Sequence, residues 1–162
     1  MNRRLATMAA VVAVAVLIGS CSTRSGLASE AEGAEAASEG LSMIVAAADT
    51  AMVAGFPEAR TVADRDALGV PDSRRAAVMV SMDSTVTGSV DVEAVADVWE
   101  ERFGYTTVER IDDTVYLTKG DRVAEVGVGP ANPAGQRRVW FEVTTEQMAR
   151  PDATAVADSF DL

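Results

Sequence analysis

The sequence predicts an α+β fold: a two-layer sandwich in which an antiparallel sheet of about five strands carries two helices on one face. Three observations lead there. Apolar residues recur at spacings of three and four in two separate stretches, the mark of amphipathic helices. Apolar and polar residues alternate in several short runs rich in valine and threonine, the mark of strands buried on one face. The last of these runs are only a few residues apart, which implies antiparallel neighbours joined by hairpins.

In chain order, Met1-Asn2-Arg3-Arg4 is a short basic segment followed by 14 uncharged residues, Leu5 to Ile18. A helix needs about 20 apolar residues to cross a bilayer, so residues 1–20 are expected to be a secretory signal peptide rather than a permanent span. The Arg3-Arg4 pair suits either the general or the twin-arginine export route. The next segment, 22–40, consists largely of Ser, Ala, Gly and Glu. With Leu27 as its one sizeable apolar side chain, it is expected to be a flexible tether, its end extending the next helix at most.

Leu41, Ile44, Val45, Ala48 and Met52 define the first helix, over residues 41–54, ended by Gly55 and Pro57. Residues 58–75 show no steady period and are expected to be mainly irregular. Val78, Val80 and Met82 alternate against Ala77, Met79 and Ser81 in a strand over 76–86. The second helix, 92–103, has Ser89 or Asp91 as cap, a stripe of Val92, Val95, Ala96, Trp99 and Phe103, and Gly104 at its C-terminus. Strands follow at 105–111, 114–118, 122–128 and 138–145. The tail from 148 to 162 reads as a loose end or a short closing helix. Residues 41–162 are expected to form one domain.

The segment Leu17-Ile18-Gly19-Ser20-Cys21 resembles the lipobox of bacterial lipoproteins, with Ile18 where leucine is commoner and Gly19 where alanine or serine is commoner. The resemblance implies cleavage between Ser20 and Cys21, a diacylglyceryl group on the Cys21 thiol, and attachment to the extracytoplasmic side of the cell membrane. The order of elements behind it is similar to that of many small actinobacterial lipoproteins of unassigned role. That likeness implies a location and a fold class, and no activity.

Composition narrows the chemistry. The chain has no histidine and a single cysteine, which removes histidine-based nucleophilic catalysis, histidine zinc sites and disulfides. No glycine-rich nucleotide-binding motif is present. Asp64 with Asp66, and Asp112 with Asp113, lack the ligand spacing of a calcium loop. No catalytic residue, metal or cofactor is therefore expected. Without residues 1–20 the chain keeps 12 basic against 25 acidic side chains, a net of −13, which disfavours nucleic acid and anionic lipid as partners.

Trp99 and the methionines Met43, Met52, Met79 and Met82 are expected to fill the core. Trp140 alternates out of phase with Val139 and Phe141. It is either an exposed interaction anchor or covered by loops or the N-terminal helix. The resulting expectation is a membrane-anchored, extracytoplasmic, non-catalytic binding or accessory module whose partner is an envelope protein or a small ligand. A carrier of an apolar lipid is the alternative, and a small hydrolase a more remote one.

Overall fold

The computed structural model describes residues 26–65 and 71–160. Ser20 and Cys21 lie outside them. Among the described residues, three helices, α1 (Glu30–Ala51), α2 (Val92–Phe103) and α3 (Arg150–Ser159), pack on one face of a seven-stranded antiparallel sheet. Its strands are β1 (Glu58–Arg65), β2 (Pro71–Thr87), β3 (Thr106–Ile111), β4 (Thr114–Lys119), β5 (Arg122–Val128), β6 (Gln136–Thr144) and β7 (Met148–Ala149). The spatial order is β1-β2-β6-β5-β4-β3, with β7 added to the start of β2. The predicted two-layer α+β sandwich is thus the observed fold, with two more strands and one more helix.

The largest correction concerns residues 30–40, expected to belong to a tether and instead the first half of α1. Ser29 starts the helix by accepting from the Glu32 backbone N–H while the Glu32 carboxylate accepts from the Ser29 N–H, a reciprocal cap that satisfies two orphan donors. Gly33, Ala36, Ala37 and Gly40 are buried. Their small size is what buries them: a methyl at Gly33 would overlap the Met148 side chain, and one at Gly40 would come within 3.3 Å of Val143 Cγ1. A pattern of large apolar residues cannot reveal a helix that approaches its sheet this closely. The chain is docked already at Ala28, which bridges to Met148 and donates to the Gln147 carbonyl at 2.9 Å.

α1 ends three residues earlier than expected, with Met52 in the left-handed conformation (φ 54°) as its C-cap. That turn leaves Met52 90 % exposed, so it fills no core. Residues 58–75, expected to be irregular, contain β1 and the first part of β2. β1 is an edge strand whose inner positions are the small Ala59, Thr61 and Ala63, so its alternation lacks contrast. The tail closes as α3, with Pro151 in its first turn, where a missing N–H costs nothing.

α2 follows its prediction: Asp91 accepts from the Ala94 N–H at 3.0 Å and Gly104 takes the left-handed C-cap at φ 72°. Its Trp99 is fully buried, and the indole donates to the Met43 carbonyl of α1 at 3.0 Å. Val78, Val80 and Met82 of β2, Val139, Phe141 and Val143 of β6, and Ala124 and Val126 of β5 form the sheet side of the core. Strand alternation then sends the intervening side chains to the other face of the sheet, which carries no helix among the described residues.

Candidate interaction surface

The face turned away from the helices is organised by the register of β5 and β6. Trp140 stands opposite Gly127 of β5 and Asp83 of β2. Its indole packs against Gly127, where even a Cβ atom would overlap the ring, and its Nε1 donates to Glu125 Oε1 at 2.6 Å. The Arg138 guanidinium, two residues away on the same face, sits 5.6 Å from the ring centroid and pairs with Asp83 at 2.7 Å. Trp140 is therefore half-buried by neighbours on its own face. The N-terminal helix, on the opposite side, does not cover it.

Gly127→Ala is expected to lift the indole off the sheet and break its bond to Glu125. The overpacking cost is about 1–3 kcal/mol, read by urea denaturation. A shift of tryptophan emission to longer wavelength should accompany it, since Trp99 stays buried. An unshifted spectrum would mean that the ring does not rest on Gly127.

Two carboxylates lie beside the indole. Glu125 and Glu142 are direct cross-strand partners, an arrangement that is destabilising for like charges. Burial and then Glu125 push the Glu142 carboxyl above its ordinary value; Arg60 opposes them in part, and Asp83 (raising) and Arg138 (lowering) contribute less. Tyr116, opposite Glu125 on β4, has its hydroxyl pushed up by burial and then by Glu125, Glu109 and Glu142. Across the strands, Glu58, Ser81, Glu142, Glu125, Tyr116 and Glu109 form one transverse row.

The sign of the linkage follows from the raised carboxyl. The folded state holds the Glu142 proton more tightly than the unfolded chain, so stability falls as pH rises from about 4.5 through the folded-state value, and stays lower above it. Glu142→Gln is therefore expected to stabilise the protein at pH 7 by about 0.5 kcal/mol, the scale of a cross-strand pair. Below pH 4 the gain should vanish, because Glu142 is then neutral in both states. Equal gains at the two pH values would exclude charge as the cause.

A second feature is a groove of about 1090 Å³ beside the first half of α1, lined in part by Glu35, Arg75, Arg122, Glu146 and Gln147. Arg122 and Glu146 on its wall join an ion-pair chain with the neighbouring Glu39 and Lys119. Glu39 accepts from Lys119 at 2.6 Å and from Arg122, which also donates to Glu146 at 2.7 Å. This chain of ion pairs fastens the β4–β5 turn to α1 and to the segment before β7. Lys119 also stands 5.8 Å from the centre of the buried Tyr105 ring, whose hydroxyl is pushed up by burial and then by Glu39.

Among the described residues, no three of His, Cys, Asp and Glu are grouped to hold a metal ion. Asp112 and Asp113 form the exposed β3–β4 turn, where Asp112 adopts φ 51° and Asp113 pairs with Arg137 at 3.3 Å. Asp66 lies outside the described residues. No helix among them is long and apolar enough to cross a membrane. Of the methionines, Met43 and Met82 are core, whereas Met79 is half-buried on the open face, accepting from Arg60 at 3.4 Å.

Fold and surface together define a two-layer α+β domain with one open, tryptophan-centred sheet face. Comparison with family models, curated proteins and solved structures returns no match. Alternation along β6 was enough to place Trp140 on this face. The pairing of Glu125 with Glu142 depends on how β5 and β6 register across the 129–135 loop, which no local pattern specifies.

Proposed function

We propose that this protein is a lipoprotein held at the extracytoplasmic face of the cell membrane through Cys21, whose domain serves as a non-catalytic binding or accessory module of the cell envelope. The anchoring half rests on the lipobox residues Ile18-Gly19-Ser20-Cys21. The binding half rests on one observation: the sheet face around Trp140 combines aromatic and carboxylate side chains with no helix over it. Large aromatic side chains with a polar tip are frequent interface anchors.

The position of the domain follows from its early start. With the fold secured at Ala28, the chain from Cys21 spans seven residues, or at most about 25 Å when fully extended. The domain is then held close to the bilayer and not displaced from it by a 19-residue spacer. An apolar-ligand carrier is the less favoured reading, because the groove beside α1 is lined largely by charged and polar side chains, Glu32, Glu35, Arg75, Asp121, Arg122, Glu146 and Gln147, with Leu27 as its one large apolar side chain.

Labelling with radioactive palmitate tests the anchor: the wild type is expected to incorporate label and Cys21→Ala to incorporate none, whereas equal labelling would discard lipidation at Cys21. A photoreactive phenylalanine analogue at position 123, on the open face, tests the module. In intact cells it should give a discrete adduct that the same analogue at position 97, on α2, does not.

A further inference from the structure

We propose that the open sheet face docks a basic polypeptide segment, one of whose arginine or lysine side chains lodges between Glu125 and Glu142 beside Trp140. The proposal rests on the binding-module reading and deepens it by naming the partner's chemistry.

The first support is an uncompensated pair. Glu125 and Glu142 face each other across β5 and β6, and neither takes part in an ion pair among the described residues. The nearest bases are committed elsewhere: Arg138 pairs with Asp83, and Arg60 donates to the Met79 sulfur. Other carboxylates of the domain, such as Glu39, Glu93 and Glu146, do have an internal cation. A cation arriving between Glu125 and Glu142 would turn a repulsive pair into two charge-assisted hydrogen bonds. It would also return the Glu142 carboxyl toward its ordinary value.

The face already contains an example of the contact it would make. Arg138 lies over the Trp140 ring while an aspartate holds its guanidinium, the cation–π arrangement that arginine favours. The partner's side chain would meet the other edge of the same indole, where Glu125 accepts from Nε1. Charge on the rest of the face agrees: Glu58, Asp83, Glu109, Glu125 and Glu142 project there against Arg60, Arg75 and Arg138. Such an excess steers a basic partner and repels a second copy of this face, nucleic acid and anionic lipid.

Size favours a segment over a folded partner. Six strands, each presenting about three outward residues, offer about 18 residues, below the roughly 20–30 per side of a standard globular interface.

The test uses the full chain in detergent, with a hexa-arginine amide peptide as probe and tryptophan emission as readout. Glu125→Gln/Glu142→Gln is compared with Asp97→Asn/Glu101→Gln, an equal loss of charge on exposed α2 positions. Saturable binding that perturbs emission, weakened tenfold or more by the first pair and less than threefold by the second, is the expected result. Equal weakening by both pairs would reduce the effect to net charge and overturn the proposal, as would binding without a change in emission. Calcium chloride alone giving a saturable emission change that the first pair abolishes would assign the carboxylates to a metal instead. Circular dichroism guards against unfolding, and the first pair is expected to be at least as stable as the wild type. An adduct at position 123 in cells without selective hexa-arginine binding would leave the module reading standing and remove the basic partner.

Discussion

Ala37→Asp should destabilise the protein by about 4 kcal/mol, because an unpaired carboxylate would be forced into an apolar layer. Ala37 is fully buried on the sheet-facing side of α1 and belongs to the core cluster. A domain of this size is stable by only about 5–15 kcal/mol, so the variant should lose much of its urea resistance or fail to accumulate. Ser38, one residue on, points to solvent, and Ser38→Asp should stay within about 0.5 kcal/mol of wild type. The contrast discriminates a packed helix from a spacer. In a flexible tether both substitutions would be silent, and equal, small effects in urea denaturation monitored at 222 nm would show that residues 30–40 do not pack.

That prediction marks where sequence patterns stopped being informative. α2 was legible because every signal agreed: an aspartate cap, a stripe of large apolar residues and a terminal glycine. β4, β5 and β6 were legible because one face is wet and the other is Val, Leu and Phe. The first half of α1 hides its inner face in Gly33, Ala36, Ala37 and Gly40, which hydropathy reads as neutral and composition reads as linker. β1 hides for a related reason, since its half-buried positions on the helix side are only Ala59 and Thr61. Small residues carry their information in the distance they permit, and that distance belongs to the partner surface.

The candidate surface divides along the same line. That Trp140 shares a face with Arg138 and Glu142 follows from a period of two along a single strand. That Glu125, Glu142 and Trp140 meet requires the alignment of separate strands. A mismatch of one residue would send Glu125 into the core, so burial of Ala124 and Val126 fixes the register and thereby the constellation. Gly127 completes it, being the one residue type that lets an indole lie on the backbone there. Core packing thus positions the charges that the proposed partner meets.

Trp99→Ala is expected to cost about 3–5 kcal/mol, the usual range for emptying a buried aromatic site. Trp99 is the largest fully buried side chain among the described residues, and it joins α1 and α2 by packing and by its bond to the Met43 carbonyl. Trp99→Phe separates these contributions. It keeps an aromatic ring in the core but removes the indole donor, while the Met43 carbonyl, inside α1, retains its helical N–H partner. Its cost should therefore be about 1–2 kcal/mol, from a smaller ring and one lost hydrogen bond. Both variants keep Trp140 as the sole fluorophore of its kind, so emission in each reports the open face alone. If α2 is pinned to α1 through Trp99 and the sheet face is built separately by β2, β5 and β6, Trp99→Ala should lower the urea midpoint while leaving the folded-state Trp140 emission in place. A loss of that emission signature at zero urea would mean that the helix layer and the open face are coupled, and that the surface is not set by strand register alone.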